Sequence, residues 1–125
     1  MFQDGLLKDK TIVITGGGTG LGKSMSRRFG ELGANIVISG RRAEVLEETA
    51  QEFSDLGINV ITCPGDVRKL EDVELMTKQT IDKFGKIDNL LNNAAGNFIS
   101  PTEMLSPNAF KTVIDIVLMG TWNCI

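Results

Sequence analysis

The residues best suited to chemistry stand near the start of the chain, as Thr15-Gly16-Gly17-Gly18-Thr19-Gly20-Leu21-Gly22. A short apolar run, Thr11-Ile12-Val13-Ile14, leads into them, and a helical pattern with Leu21, Met25, Phe29 and Leu32 on one face leads out. Strand, glycine turn and helix form the context of a phosphate-binding turn. Gly16 permits a tight turn off the strand, Gly20 lets the backbone approach a pyrophosphate, and Gly22 lets the new helix pack closely. The free amides of that helix start, with its partial positive charge, then face an anion. A flexible glycine loop is the plain alternative; the flanking strand and helix favour dinucleotide binding over it.

A second chemical signal lies about 20 residues further on, where NAD-binding turns of this kind place a carboxylate against the ribose 2′-hydroxyl. Here the chain reads Ser39-Gly40-Arg41-Arg42, with no carboxylate. Two guanidinium groups suit a 2′-phosphate through charge-assisted, bidentate hydrogen bonds. The implied cofactor is NADP(H). The alternative, that Arg41 and Arg42 are merely solvated at a helix start, is weakened because a cation there opposes the helix dipole. The chain has no histidine and no tyrosine, which narrows the supply of proton donors.

The bulk numbers set the frame. A chain of 125 residues is enough for one domain with one core. Net charge is −3 and the basic residues are scattered, which argues against a nucleic-acid surface. No apolar run approaches a membrane span, and the start Met1-Phe2-Gln3-Asp4-Gly5 has no secretory pattern. The expectation is a cytoplasmic protein with Cys63 and Cys124 as buried free thiols.

The elements that must position these residues alternate. Strands are predicted at Ala34 to Ser39, Asn59 to Cys63 and Lys86 to Leu91, after the first at Thr11. Helices are predicted from Ala43 to Leu56, with Val45, Leu46, Thr49, Ala50, Phe53 and Leu56 as its stripe, and from Leu70 to Phe84, with Val73, Met76, Thr80 and Phe84. Gly33, Gly57 and Gly85 end the three helices. Strands alternating with helices predict an α/β, doubly wound parallel sheet of Rossmann type, with about four strands in the order 3-2-1-4. A last helix starts with Ser106 as N-cap and Pro107 at its first position. It is apolar over most of its circumference, including Ile116 and Met119, and is expected at a homo-oligomer interface, dimer or tetramer, or against further chain. A half-exposed rim for Ile116 and Met119 is the alternative. The stripe runs to Ile125 without a cap. Residues 1–125 are therefore expected to be the N-terminal part of one NAD(P)-binding domain.

The spacing Thr-Gly-x-x-x-Gly-x-Gly over Thr15 to Gly22 differs from that of long-chain dehydrogenases and resembles the short-chain dehydrogenase/reductase family. Asp66-Val67 after the third strand agrees, and the resemblance implies that Asp66 meets the adenine end of the cofactor. Asn92-Asn93-Ala94-Ala95-Gly96 after the fourth strand is similar to the family's Asn-Asn-Ala-Gly signature, with one extra alanine. The resemblance thus implies cofactor contacts at Gly16, Gly18, Thr19, Gly20, Leu21, Gly22, Arg41, Arg42, Asp66, Val67, Asn93, Ala94, Ala95 and Gly96.

Within the family, Asn92 to Phe110 and Asp115-Ile116-Val117-Leu118 resemble the 2,4-dienoyl-CoA reductase branch. That implies NADPH-dependent reduction of a conjugated acyl-CoA thioester, with Asn97, Phe98 and Ser100 on the thioester side. A plain surface loop is the alternative for Phe98. Two departures stand out. Val117 and Met119 occupy the positions, before Gly120, where the family or this branch carries an asparagine; Asn123, one turn on, is the candidate replacement. The family's Tyr-x-x-x-Lys pair is absent, so no catalytic residue is assigned. The other readings are a short-chain reductase for another substrate, such as a 3-oxoacyl thioester, and a non-catalytic dinucleotide-binding or dimerisation module.

Overall fold

The computed structural model describes residues 1–125. Four parallel strands form one sheet: β1 (Thr11–Thr15), β2 (Asn35–Gly40), β3 (Val60–Pro64) and β4 (Asn89–Leu91). Their order is β3-β2-β1-β4, as the alternation predicts. All five residues of β1 are buried, which suits a β-branched run in a central parallel strand. Side-chain alternation divides the core. Ile12, Ile14, Ile36 and Ile38 point to one face with Leu46, Phe53 and Ile58. Val13 and Val37 point to the other with Cys63, Val73 and Met76. A strand's period of two feeds both layers from the same residues.

The first face is covered by α1 (Gly20–Glu31) and α2 (Ala43–Asp55), the second by α3 (Leu70–Phe84) and the C-terminal helix. Gly57 and Gly85 turn left-handed after α2 and α3, at φ +77° and +78°, as expected. Two expectations for these helices change. The buried face of α1 is Gly22 and Ser26, not Leu21, which is 77% exposed. The helix lies too close for a large residue there: a Cβ on Gly30, further along, would collide with Ile58. Leu56 lies beyond α2 and is exposed.

β4 is also shorter than the predicted strand from Lys86 to Leu91. Ile12 pairs with Asn89, and just before that pair Asp88 closes the ladder. Its backbone N–H donates to Thr11 O (2.9 Å), while its Oδ2 accepts from Thr11 N (2.8 Å). Lys86 and Ile87 run past the start of β1.

The C-terminal helix begins at α4 (Pro107–Ile114), where Ser106 Oγ accepts from Ala109 N at 3.1 Å. It continues through a π turn (Asp115–Met119) into α5 (Gly120–Cys124). Only Gly120 in this helix is buried; Phe110, Leu118, Met119 and Trp122 are exposed. Both cysteines are free, but Cys124 is half-buried, unlike Cys63. Burial alone pushes the Cys63 thiol up to about 11.

Candidate cofactor site

The register brings the strand ends to one edge, with Thr15 beside Ser39, Gly40 beside Pro64 and Ile14 beside Leu91. Because the chain crosses from one side of β1 to the other, that edge carries the switch point at which α/β sheets hold ligands. A cleft of about 570 Å³ opens there.

The glycine turn forms one wall. The amides of Gly16 and Gly17 donate to Ser39 O, at 2.8 and 3.2 Å, which folds the turn back over β2. Gly16 has φ +67°, a conformation that costs a side-chain-bearing residue. A Cβ on Gly22 would collide with Gly16 O and the Asn93 amide, so the start of α1 sits tight under the turn. The amides of Gly18 and Thr19 have no protein partner, and both residues line the cleft. Unpartnered amides ahead of a helix N-terminus suit a phosphate.

The segment after β4 is fastened to this turn. Thr15 Oγ1 accepts from Asn93 N (3.1 Å) and Ala94 N (3.0 Å). Asn93 Nδ2 donates to the carbonyls of Thr15 (3.2 Å) and Gly16 (3.1 Å). The Asn93 amide is therefore a staple between two strand ends, and Ala94 and Ala95 line the cleft beside it. Thr15 is a supporting residue that glycine spacing alone does not reveal.

Arg41 and Arg42 also line the cleft; Arg42 is the N-cap of α2, one turn before Val45 and Leu46, near which a Cβ on Gly18 would lie. Asp66 and Val67 face them from the loop after β3. Arg68 grips the Asp66 carboxylate: its Nε lies 2.9 Å from Oδ1 and 3.0 Å from Oδ2, and its backbone N–H donates to Oδ1 at 3.0 Å. These bonds hold the Asp66 carboxyl below the usual carboxylate range, helped by the charge of Arg41. Asp72 Oδ2 accepts from Asp66 N at 2.8 Å and fixes the loop backbone.

The chain matches the short chain dehydrogenase family model over residues 10–125. It belongs to that family. It is 46% identical to a peroxisomal 2,4-dienoyl-CoA reductase of Arabidopsis thaliana, over 98% of the chain and 41% of that protein. It is 44% identical to a probable 2,4-dienoyl-CoA reductase of Bacillus subtilis, over 94% of the chain and 46% of that protein. Among solved structures, a 3-ketoacyl-(acyl-carrier-protein) reductase from Brucella melitensis complexed with NADH superposes with a TM-score of 0.87. It is 30% identical, over 94% of this chain and 48% of that one. The chain thus spans less than half the length of these relatives.

This member of the family gathers Gly16, Gly18, Thr19, Arg41, Arg42, Asp66, Val67, Asn93, Ala94 and Ala95 around one cleft. Gly20, Leu21, Gly22 and Gly96 do not line it. Gly20 stands at the rim with φ +55° and open space where a Cβ would be, and Leu21 follows it into solvent. Asn97, Phe98 and Ser100 lie on an exposed loop outside the cleft lining. Ile116, read from sequence as an interface or rim residue, lines the cleft instead, from the π turn. Val45 and Leu46 join it there. The one-face pattern of helices contains these residues but does not say which of them look into a site. Asn123 Nδ2, on the candidate replacement for the missing asparagines, donates to Val67 O at 2.9 Å. It ties α5 to the loop that carries Asp66, close to where a Cβ on Gly120 would strike Val67.

Proposed function

We propose that residues 1–125 are the cofactor-binding, N-terminal part of an NADPH-dependent reductase of unsaturated acyl-CoA thioesters. The supporting observation is the division of the cleft. Unpartnered amides at Gly18 and Thr19 suit a pyrophosphate. Arg41 and Arg42, with no carboxylate at the end of β2, suit a 2′-phosphate. Asp66, held by Arg68 and within the field of Arg41, would accept from a nucleobase amino group. Val45, Leu46, Val67 and Ile116 supply apolar walls. The dienoyl substrate class comes from the names of the Arabidopsis and Bacillus relatives.

When bound, NADPH would supply the hydride. The chain's own part is to hold and orient. Thr15 and Asn93 pin Ala94 and Ala95 against the glycine turn, and on this reading Asn97, Phe98 and Ser100, on the exposed loop beyond, would meet the thioester. Reduction of a thioester-conjugated system places charge on the thioester oxygen, and a donor must meet it there. The exposed faces of α4 and α5 would be covered in a homo-oligomer. No helix is long and apolar enough to cross a membrane; we read the protein as cytoplasmic, with the peroxisome of the Arabidopsis relative as the alternative that fractionation decides.

The rival substrate is a 3-oxoacyl thioester, favoured by the Brucella structure. Oxidation of NADPH by the full-length product is the test, with 2,4-dienoyl-CoA and 3-oxoacyl-CoA in parallel. A larger kcat/KM for the dienoyl thioester supports the proposal. Turnover with the 3-oxoacyl thioester alone replaces it.

A further inference from the structure

We propose that Asn123 is a positioning residue for Asp66: its side-chain amide fixes the Val67–Arg68 peptide, and the N–H of that peptide in turn aims the Asp66 carboxylate. The inference rests on the reading of Asp66 as the acceptor for a nucleobase amino group. Asn123 Nδ2 donates to Val67 O at 2.9 Å, across 56 residues of chain. No other group donates to that carbonyl. On the far side of the same peptide unit, Arg68 N donates to Asp66 Oδ1 at 3.0 Å. No peptide bond in the chain is cis, so this C=O and this N–H point in opposite directions. The peptide is therefore strung between Asn123 and Asp66, and its plane is set from both ends.

The rest of the loop leaves this adjustment open. The Asp66 backbone is already held: Asp72 Oδ2 accepts from its N–H at 2.8 Å, and its carbonyl accepts from Lys69 N at 2.9 Å. What remains to be set is the carboxylate. Arg68 Nε reaches it as well, but from a long, exposed side chain, whereas the Arg68 N–H belongs to the peptide that Asn123 holds. Gly120 brings the helix near enough for this. It is the buried residue of α5, and a Cβ on it would lie 2.6 Å from Val67 Cγ2. Asn123 stands three residues on, along the same helix face. Hydrogen bonds in series polarise one another, so donation to Val67 O also makes the Arg68 N–H a better donor. Without the Asn123 amide, the part-buried carbonyl gains by turning toward water. The peptide plane turns with it and draws the N–H away from Asp66.

The test compares NADPH with its deamino analogue, in which hypoxanthine replaces adenine, on the full-length product. The two share the 2′-phosphate and the pyrophosphate, so the ratio of their dissociation constants reports on the base edge alone. Hypoxanthine sets a carbonyl oxygen where adenine has its amino group, and a carboxylate repels it. The parent is expected to prefer NADPH about tenfold or more, in line with a charged hydrogen bond. Asn123→Leu, close in size but without a donor, is expected to narrow that preference at least about threefold. In an Asp66→Asn background, Asn123→Leu is expected to leave the ratio unchanged, because the two residues act through one hydrogen bond. An Asn123→Leu protein that keeps the parent's preference overturns the inference. This includes one that loses both cofactors by the same factor, which would make Asn123 a tie between helix and loop only. A further change of the ratio in the Asp66→Asn background overturns it too. If Asn123→Leu does not fold, Asn123→Ala is judged by the same ratio. A parent with no preference between the two overturns the reading of Asp66, and this inference with it.

Discussion

Arg41 and Arg42 occupy a position that the backbone alone disfavours, at the N-terminal end of α2, where the helix dipole repels a cation. A bound 2′-phosphate would remove that penalty and engage both guanidiniums. Arg41→Ala and Arg42→Ala should each weaken NADPH by about 1.5–3 kcal/mol, the range of charged hydrogen bonds, and change NADH far less. Equal dissociation constants for the two cofactors in the parent would count against the assignment. The sequence points to the arginines because a missing carboxylate at a fixed distance is itself a signal, and the fold sets both on the cleft. The hydrogen-bonding tasks of Thr15, which opens the motif, and of Thr49, on the α2 stripe, are not legible there, because their partners Asn93 and Gly18 are remote and only the fold brings them near. Asp88, bonded to Thr11, makes a third remote contact. The Thr11 amide and then Lys86 hold its carboxyl below the ordinary value. A folded-state pKa below the unfolded one gives stability that is full above about pH 4 and is lost as the pH falls. Urea midpoints should therefore drop as the pH falls below about 4, and the drop should shrink in Asp88→Asn. An unchanged drop would assign the acid sensitivity to other carboxylates, such as Asp66.

Among the elements, α3 was read to the residue, because Gly85 ends it and its apolar positions repeat at helical spacing. β4 was not, because strand length depends on a partner: the predicted strand extends beyond the start of β1, and pairing stops there. The π turn at Asp115–Met119 was also invisible. One extra residue per turn rotates the apolar stripe, which takes Ile116 to the cleft and leaves Leu118 and Trp122 outward, Trp122 at 70% exposure. This changes which substitutions test the expected oligomer. Leu118→Glu and Trp122→Glu should break an assembly built on this helix, since each would bury an unpaired charge. Ile116→Glu should instead weaken cofactor binding without changing the sedimentation coefficient. If both outward variants sediment like an assembled parent, the interface lies elsewhere.

For the molecule as a whole, strand order and doubly wound topology were legible because alternation and right-handed crossovers leave few other arrangements. The chemistry beyond the cofactor was not, since no residue type here supplies an evident acid. The 125-residue chain should therefore bind NADPH yet not reduce a dienoyl thioester. Charge developing on the thioester oxygen needs a donor of suitable pKa within hydrogen-bond reach. Tyrosine and histidine are absent. Lys78, Lys86 and Lys111 are paired with Asp82, Asp88 and Asp115. Asn93 already gives its amide hydrogens to Thr15 O and Gly16 O. Ser100 sits on an exposed loop, where water screens any charge it could stabilise. Absorbance of NADPH, followed with the purified chain and 2,4-dienoyl-CoA, should match a Gly20→Val control, in which a β-branched residue is forced to φ +55° in the turn. Turnover clearly above that control would mean that a proton donor stands among these residues after all. Lys69 and Lys83, which carry no carboxylate partner, would then be the first to substitute.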